Sequence, residues 1–165
     1  MISSNLEGSR VTVAGAAGFI GTNLIEKLLE SGCEVRGVIH KNPPQILRPE
    51  VDYVEADLTN EDQALRALQD TDIFIMAAAN SSGAAVMKSR PLVHLTPNVV
   101  MNAITLDAAY QNRVGKYCFI SSNTVYPDAD RPMTETDVTG DFYHTYQVVG
   151  EMKWFSEKMV NFYST

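Results

Sequence analysis

The chain has 165 residues, of which 45% are hydrophobic and 20% are charged, and its formal net charge is -7. This length and composition are typical of one globular domain with a sizeable core. The acidic balance and the scattered basic residues argue against a nucleic-acid partner, because binding to a phosphate backbone needs a concentrated Lys/Arg surface. No apolar stretch in the sequence is long enough to span a bilayer, so no membrane partner is expected.

The cysteines and the N-terminus bear on the cellular compartment. Cys33 and Cys118 are far apart and form no CxxC pair, so we expect two buried free thiols rather than a disulfide. The first residues have neither a basic start nor an apolar run, so we expect no secretory signal. We therefore expect a cytoplasmic location, and we expect no metal site.

Predicted strands and helices alternate along the chain. The predicted strands are, in order, Val11–Ala14, Glu34–Ile39, Asp52–Glu55, Asp72–Ala79 and Lys116–Ser121. The predicted helices are Gly21–Glu30, Asn60–Leu68, Pro97–Gln111 and Tyr146–Tyr163. Gly32 should end the first helix, Asn60 should cap the second, and Pro127–Asp141 reads as a loop. Alternation of this kind predicts an α/β fold with a Rossmann-like, doubly wound parallel sheet.

A glycine-rich loop, Gly15-Ala-Ala-Gly18-Phe-Ile-Gly21, joins the first predicted strand to the first helix. Gly15 permits a tight turn, Gly18 lets the backbone approach a pyrophosphate, and Gly21 lets the helix pack closely on the strand. The anion would then lie at the helix N-terminus, where amides and the helix dipole favour it. Because a strand precedes the loop and an amphipathic helix follows, we predict dinucleotide binding. The loop residues assigned to the cofactor are Gly15, Ala17, Gly18, Phe19, Ile20 and Gly21.

The GxxGxxG spacing and later segments resemble the extended short-chain dehydrogenase/reductase family of nucleotide-sugar epimerases and dehydratases. The resemblance runs in order from residue 11 to residue 157 and covers nearly the whole chain. The matching segments after the loop are Ala56-Asp57-Leu58, Ala77-Ala78, Asn98-Val99, Phe119-Ile-Ser-Ser-Asn-Thr-Val-Tyr-Pro127, and Lys153 with Glu157.

This resemblance implies further cofactor residues. Asp57 and Leu58 would lie beside the adenine ring, Ala77 to Ala79 near the cofactor, and Asn98 at the start of a central active-site helix. Each match also has a structural alternative: a turn residue for Asp57, small core residues for the alanines, and a helix cap for Asn98. The order of the matches along the chain favours the functional interpretation.

The end of the second strand bears on the choice of dinucleotide. An acid at this position selects NAD by bonding the ribose 2′-hydroxyl, whereas this chain has His40 and Lys41 there. These side chains would meet a 2′-phosphate, and a charge-assisted hydrogen bond contributes about 1.5–3 kcal/mol. A solvent-exposed lysine is the alternative. The sequence therefore favours NADP over NAD.

The resemblance implies a Ser, a Tyr and a Lys that serve hydride transfer at a sugar carbon. Ser122, four residues before Tyr126, would bond the substrate oxygen, and Lys153 would hold the nicotinamide ribose and lower the pKa of the phenol. The family's Tyr position, four residues before Lys153, is occupied by Val149, which cannot exchange a proton. We hypothesise that Tyr146 replaces it. In the alternative, Tyr146 packs on the loop before the helix and nothing replaces the acid.

The resulting interpretation is an NAD(P)-dependent nucleotide-sugar epimerase, dehydratase or reductase. Residues 1–165 would form its NAD(P)-binding Rossmann domain, with a nucleotide-sugar as substrate. Family members continue into a C-terminal domain that grips the nucleotide-sugar, so we expect an incomplete fold with no turnover by this chain alone. A free sheet edge should promote self-association, and a homodimer is one such state.

Two alternatives to this function stay open. The same scaffold serves reductases of small carbonyl compounds, so the fold does not exclude such a substrate. A non-catalytic dinucleotide sensor, in which binding survives the loss of the Tyr, is the second alternative.

Overall fold

The computed structural model describes residues 6–82, 84–90 and 92–164. The first five residues, on which the expectation of no secretory signal rests, and Thr165 lie outside the described residues. The chain divides into two compact units. The first unit is Met1–Ala79 with Ile104–Ile120, and the second unit is Asn80–Ala103 with Ser121–Thr165.

The first unit contains a five-stranded sheet in which every pairing is parallel. Its strands are β1 (Arg10–Ala14), β2 (Glu34–Ile39), β3 (Asp52–Glu55), β4 (Ile73–Met76) and β5 (Lys116–Phe119). The strand order is β3-β2-β1-β4-β5, so the chain moves outward from β1 and then returns to the other side of it. Such a reversal creates a crevice at the carboxyl ends of β1 and β4, where open α/β sheets bind ligands. The predicted Rossmann-like fold class is confirmed.

Five α-helices and three 3-10 turns complete the described elements. The helices are α1 (Phe19–Glu30), α2 (Glu61–Ala67), α3 (Ala84–Ser89), α4 (Leu92–Gln111) and α5 (Gln147–Tyr163). The 3-10 turns are Asn123–Val125, Glu135–Asp137 and His144–Tyr146. Within the described ranges, no helix has the length and apolarity needed to cross a membrane.

Two helix boundaries follow the predicted local signals. Gly32 lies just after α1 and has a φ of 75°, in the left-handed region that glycine tolerates best. Asn60 caps α2, and its side-chain oxygen accepts a hydrogen bond from the Gln63 amide at 3.0 Å. Both predictions are confirmed.

The predicted start of the long helix is wrong. α4 begins at Leu92, so Pro97 lies inside the helix and Asn98 does not open it. A proline often marks the first helical turn because it lacks an amide hydrogen. Here the turn around Pro97 is held by long-range hydrogen bonds of Asn98, described below, and such contacts leave no periodic signal in the sequence. The short helix α3 was also not predicted.

The cysteines differ from each other in burial. Both are free, and Cys33 is buried as expected, with a thiol pKa that burial raises. Cys118 is exposed, so the expectation that it is buried is wrong. The reason is its place on β5, the edge strand of the described sheet, where alternate side chains face outward.

Phe74 tests the core of the first unit. Its side chain on β4 is 0% exposed and its ring lies 5.2 Å from that of Tyr117. We expect Phe74→Ala to lower the free energy of unfolding by about 3–5 kcal/mol, measured in urea, because it leaves a cavity. Leu47→Ala is the control, since Leu47 is 74% exposed and its loss should change stability by about 0.5 kcal/mol or less. Equal small effects would contradict the position assigned to Phe74.

Candidate functional site

Gly15 turns the chain where β1 ends. Its φ is 77°, and a Cβ at this position would lie 2.9 Å from the carbonyl oxygen of Ala77 and from backbone atoms of Ala78. Both the left-handed conformation and the close approach require glycine. Gly15 therefore lets the end of β1 pass directly beside the segment that follows β4.

The other two glycines of the loop differ in their surroundings. A Cβ on Gly21 would overlap the carbonyl group of Gly15, so the first turn of α1 can lie against the loop only with glycine there. Gly18 is exposed and has an extended backbone with a φ of -85°, which any residue adopts. Its own conformation does not require glycine. A side chain at Gly18 would instead cover the surface in front of α1.

The positive N-terminus of α1 is not neutralised by its own first turn. No side chain caps it, and its first turn contains no acidic residue. The N-terminus of α2, in contrast, is capped by Asn60 and carries Glu61 and Asp62 in its first turn. The first amides of a helix lack acceptors within that helix, and the dipole makes this end positive. The N-terminus of α1 therefore fits an anion such as a diphosphate.

The remaining predicted cofactor residues of the first unit differ in exposure. Those with partly or fully exposed side chains are Ala17, Phe19, Ile20, Ala77, Ala78 and Ala79. Phe19 is 77% exposed although it is large and apolar, and it stands on the first turn of α1. The side chain of Leu58 is buried in the core, so only its backbone is available to a ligand.

An acidic residue lies beside the basic pair that follows β2. His40 Nε2 is 4.0 Å from Asp57 Oδ2, and Asp57 follows β3, the neighbouring strand. Asp57 Oδ1 accepts hydrogen bonds from the Thr59 amide at 2.9 Å and from the Thr59 hydroxyl at 2.6 Å. These bonds, with smaller contributions from His40 and Lys41, lower the pKa of Asp57. A carboxylate therefore lies beside His40, although no acidic residue directly follows β2 in the sequence.

In the second unit, Ser122 caps a 3-10 turn that α5 packs against. Ser122 Oγ accepts hydrogen bonds from the Thr124 amide at 3.2 Å and from the Thr124 hydroxyl at 3.0 Å. Gly150 in α5 lies directly against the Thr124 carbonyl oxygen, where a Cβ would not fit. The sequence analysis missed Gly150. A glycine inside a predicted helix was the available signal, because such a residue often marks a close backbone contact.

Lys153 lies on α5, just after Gly150, and is half-buried. Burial lowers the pKa of its amine, and Glu157 one turn further along opposes that shift. Glu157 also accepts a short hydrogen bond from the Ser121 hydroxyl. α5 therefore carries a partly desolvated cation and a carboxylate that is tied to the residue before Ser122.

Tyr146 precedes the first regular turn of α5, which is one of the two conditions of the replacement hypothesis, and its ring packs against another aromatic ring. It ends the 3-10 turn and stands at the N-cap of α5, before the first regular turn. Its ring lies 5.9 Å from the ring of Tyr143, which is the packing that the alternative hypothesis described. Val149 stands four residues before Lys153 and offers no proton. A role for Tyr146 in proton exchange stays a prediction.

Asn98 is a buried organising residue of the second unit. Its side chain is 4% exposed, and Oδ1 accepts a hydrogen bond from the Asn80 amide at 2.8 Å. Its Nδ2 donates to the Asn80 carbonyl at 2.9 Å and to the His94 carbonyl at 2.7 Å. Asn98 thus fixes the chain just after Ala79, rather than capping a helix. The sequence analysis missed Asn80 and His94.

Comparisons with known proteins agree with this geometry. The model of the NAD dependent epimerase/dehydratase family matches residues 11–165. The chain is 26% identical to the GDP-L-fucose synthase of Sinorhizobium fredii, covering 88% of the chain and 45% of that protein. It is 29% identical to the 3-beta-hydroxysteroid dehydrogenase of Mycolicibacterium neoaurum, covering 86% and 41% respectively.

Solved structures give the same picture of partial coverage. The structure of MoeE5 in complex with UDP-glucose and NAD is 25% identical to the chain and has a TM-score of 0.79. The match covers 95% of this chain and 50% of MoeE5. The chain therefore spans about half the length of the relatives that it matches.

The half-buried charge of Lys153 leads to a stability prediction. Because burial lowers the pKa of Lys153, its protonated form costs stability in the folded chain. We expect Lys153→Met to raise the midpoint of thermal unfolding at neutral pH. The gap should narrow as the pH rises toward the ordinary lysine pKa, since the folded wild type then loses its proton before the unfolded chain does. Lys116→Met, at an exposed lysine, is the control and should leave the midpoint nearly unchanged. A lower midpoint for Lys153→Met would contradict the prediction.

Proposed function

The chain belongs to the NAD-dependent epimerase/dehydratase family, and we propose that it forms the dinucleotide-binding part of an enzyme that oxidises or reduces a carbon of a nucleotide-sugar. One observation carries this proposal. The N-terminus of α1 has no side-chain cap and no acidic residue in its first turn, and the glycines of the preceding loop place no side chain in front of its amides. The complex of MoeE5 with UDP-glucose and NAD supports the same pairing of ligands.

The first unit would hold the adenine half and the diphosphate of the cofactor. The diphosphate would bind the amides at the start of α1, with Gly18 as its closest backbone and Ala17, Phe19 and Ile20 around it. Asp57 and the Leu58 backbone would lie beside the adenine. Ala77, Ala78 and Ala79 would line the path toward the nicotinamide, which supplies a hydride acceptor or donor when bound.

The second unit would supply the groups that act on the substrate. Ser122 Oγ already accepts two hydrogen bonds from Thr124. Among the described residues, its own proton is directed to Asn123 Oδ1 at a long distance of 3.5 Å. A substrate oxygen would offer that proton a better acceptor. Lys153 would bind the nicotinamide ribose, and Asn98 would position the segment after Ala79. Tyr146 is the candidate for proton exchange that the sequence provides.

NADP is our proposed cofactor in preference to NAD. His40 and Lys41 are exposed at the end of β2, where a 2′-phosphate would add two negative charges beside them. Asp57 opposes this preference, because its carboxylate lies 4.0 Å from His40. Lys41 is therefore the residue on which the preference depends. A homodimer and a cytoplasmic location stay predictions.

The second candidate function is a dinucleotide sensor without turnover. Val149 favours the sensor, because it stands at the position of the family's proton-exchanging Tyr and has no proton to exchange. Because no turnover is expected of this chain alone, the two candidates are separated in a protein that joins the chain to a substrate-binding domain like the family's, by a substrate-dependent change in nicotinamide absorbance. A change with a nucleotide-sugar supports the enzyme, and a change with a small carbonyl compound alone would favour a reductase of such compounds.

Gly18 provides the test of dinucleotide binding. We expect Gly18→Val to abolish NADPH binding in calorimetry, because the added side chain would occupy the position of the diphosphate. The fold should stay largely intact, since Gly18 is exposed and its backbone is extended. A Cβ there would lie 3.2 Å from the Gly15 carbonyl oxygen, so circular dichroism should verify that the variant is folded. Gln45→Val, at an exposed loop position of the same unit, is the control and should bind normally. Unchanged affinity in Gly18→Val would refute the assignment of the loop.

Lys41 provides the test of cofactor choice. We expect the wild type to bind NADPH more tightly than NADH, by about tenfold to a hundredfold if one charge-assisted hydrogen bond is responsible. Lys41→Ala should narrow that ratio by weakening NADPH binding while leaving NADH binding nearly unchanged. Equal affinities of the wild type for NADPH and NADH would contradict the proposed role of Lys41 in selecting NADP.

A further inference from the structure

A buried histidine in the second unit contacts a serine hydroxyl. His94, on α4, is 3% exposed. Its Nε2 lies 2.8 Å from Ser82 Oγ, and its Nδ1 lies 3.3 Å from Asn80 Oδ1. Because an amide oxygen can only accept, this geometry favours the tautomer in which Nδ1 donates to Asn80 Oδ1, and in that tautomer Nε2 accepts the proton of Ser82. This is the arrangement in which an imidazole withdraws a proton from a hydroxyl.

The imidazole is held in this orientation by Asn98. The Asn98 side chain binds the backbone amide and carbonyl of Asn80 and the carbonyl of His94. It therefore fixes both the residue that bears the ring and the residue that orients the ring through Nδ1. A hydroxyl and base that are held in place before substrate arrives need no rearrangement to transfer a proton.

Ser82 lies among the elements that carry the other candidate groups of the second unit. α3, which follows Ser82 closely in the chain, packs against the 3-10 turn that contains Tyr146. α5, which carries Lys153, packs against the turn that follows Ser122. One compact unit thus contains Ser82, Ser122 and Lys153.

The unit also lacks a proton-exchanging group at the position where the family has one. Val149 has no exchangeable proton, and the ring of Tyr146 packs on Tyr143. Ser82, in contrast, has a base within hydrogen-bonding distance. We propose that Ser82, activated by His94, exchanges a proton with the substrate hydroxyl, an inference that rests on the function proposed above.

The proton and electron balance of this step is complete. When a substrate alcohol is oxidised, its O–H bond breaks and the proton passes to Ser82 Oγ, while Ser82 passes its own proton to His94 Nε2. A bound oxidised nicotinamide would accept the hydride that the substrate carbon loses as its C–H bond breaks and the C=O bond forms. The imidazolium left on His94 returns the proton by the same route when the carbonyl is reduced.

Covalent labelling tests the activation of Ser82 without a cofactor. A fluorophosphonate reacts with an activated serine, which forms a P–O bond as fluoride leaves and the hydroxyl proton passes to the base. We expect peptide mass spectrometry to locate the adduct on Ser82. We expect His94→Gln to slow labelling by about a hundredfold, the lower end of the usual general-base effect. Ser89→Ala removes a nearby exposed hydroxyl that donates to the Ala85 carbonyl of its own helix, and it should leave labelling of Ser82 unchanged.

Two labelling results would overturn the inference. One is an unmodified Ser82, and the other is equal labelling of wild type and a His94→Gln variant whose fold is verified by circular dichroism. If His94→Gln does not fold, the nitrogen chemical shifts of the His94 imidazole in the wild type, measured by NMR, show which ring nitrogen carries the proton. A protonated Nε2 in the neutral ring overturns the inference, because it would donate to Ser82 rather than accept, and an unprotonated Nε2 supports it. Failure of the proposed function would appear separately, as normal dinucleotide affinity in Gly18→Val.

Discussion

The first unit depends on a close approach between three stretches of backbone. The turn after β1, the first turn of α1 and the segment after β4 meet around Gly15. A Cβ on Gly15 would press against Ala77 and Ala78, and a Cβ on Gly21 would overlap Gly15. The absence of these side chains lets α1 start directly at the switch point of the sheet. The same constraint therefore closes the core and places a helix N-terminus at the ligand-binding edge.

The start of α1 is less stable locally than a capped helix start would be. A Ser, Asp or Asn cap typically stabilises a helix by about 1 kcal/mol, and α2 has one in Asn60. α1 begins with Gly18, without a side-chain cap and without an acid in its first turn. A cap would fill the space in front of the first amides and neutralise the positive end of the dipole. An uncapped, exposed helix start next to a switch point is a locally unfavourable choice that an anionic ligand would compensate.

The second unit is organised by buried polar side chains rather than by an apolar centre alone. His94, Asn98, Asn102 and Ser156 are all buried. Asn102 Nδ2 donates to Ser156 Oγ at 2.9 Å, and Ser156 Oγ donates to the Met152 carbonyl at 2.9 Å. Among the described residues, no buried side-chain nitrogen or oxygen lacks a partner. Fully satisfied networks of this kind specify one arrangement of the helices, because each alternative leaves a buried polar group unpaired.

The sequence by itself determined the elements whose signals are local. The strand runs, the glycine turn at Gly15, the cap at Asn60 and the helix end at Gly32 were all predicted, because hydrophobic periodicity and turn chemistry act over a few residues. Only the tertiary structure decided that Asp57 faces His40, that Gly150 packs on Thr124, and that His94 meets Ser82. The residues in each of these contacts are separated by 12 residues or more along the chain, and the hydrogen bonds between Asn98 and Asn80 span 18. Such pairings depend on how the chain returns to itself in three dimensions, which is also why the start of α4 was misplaced.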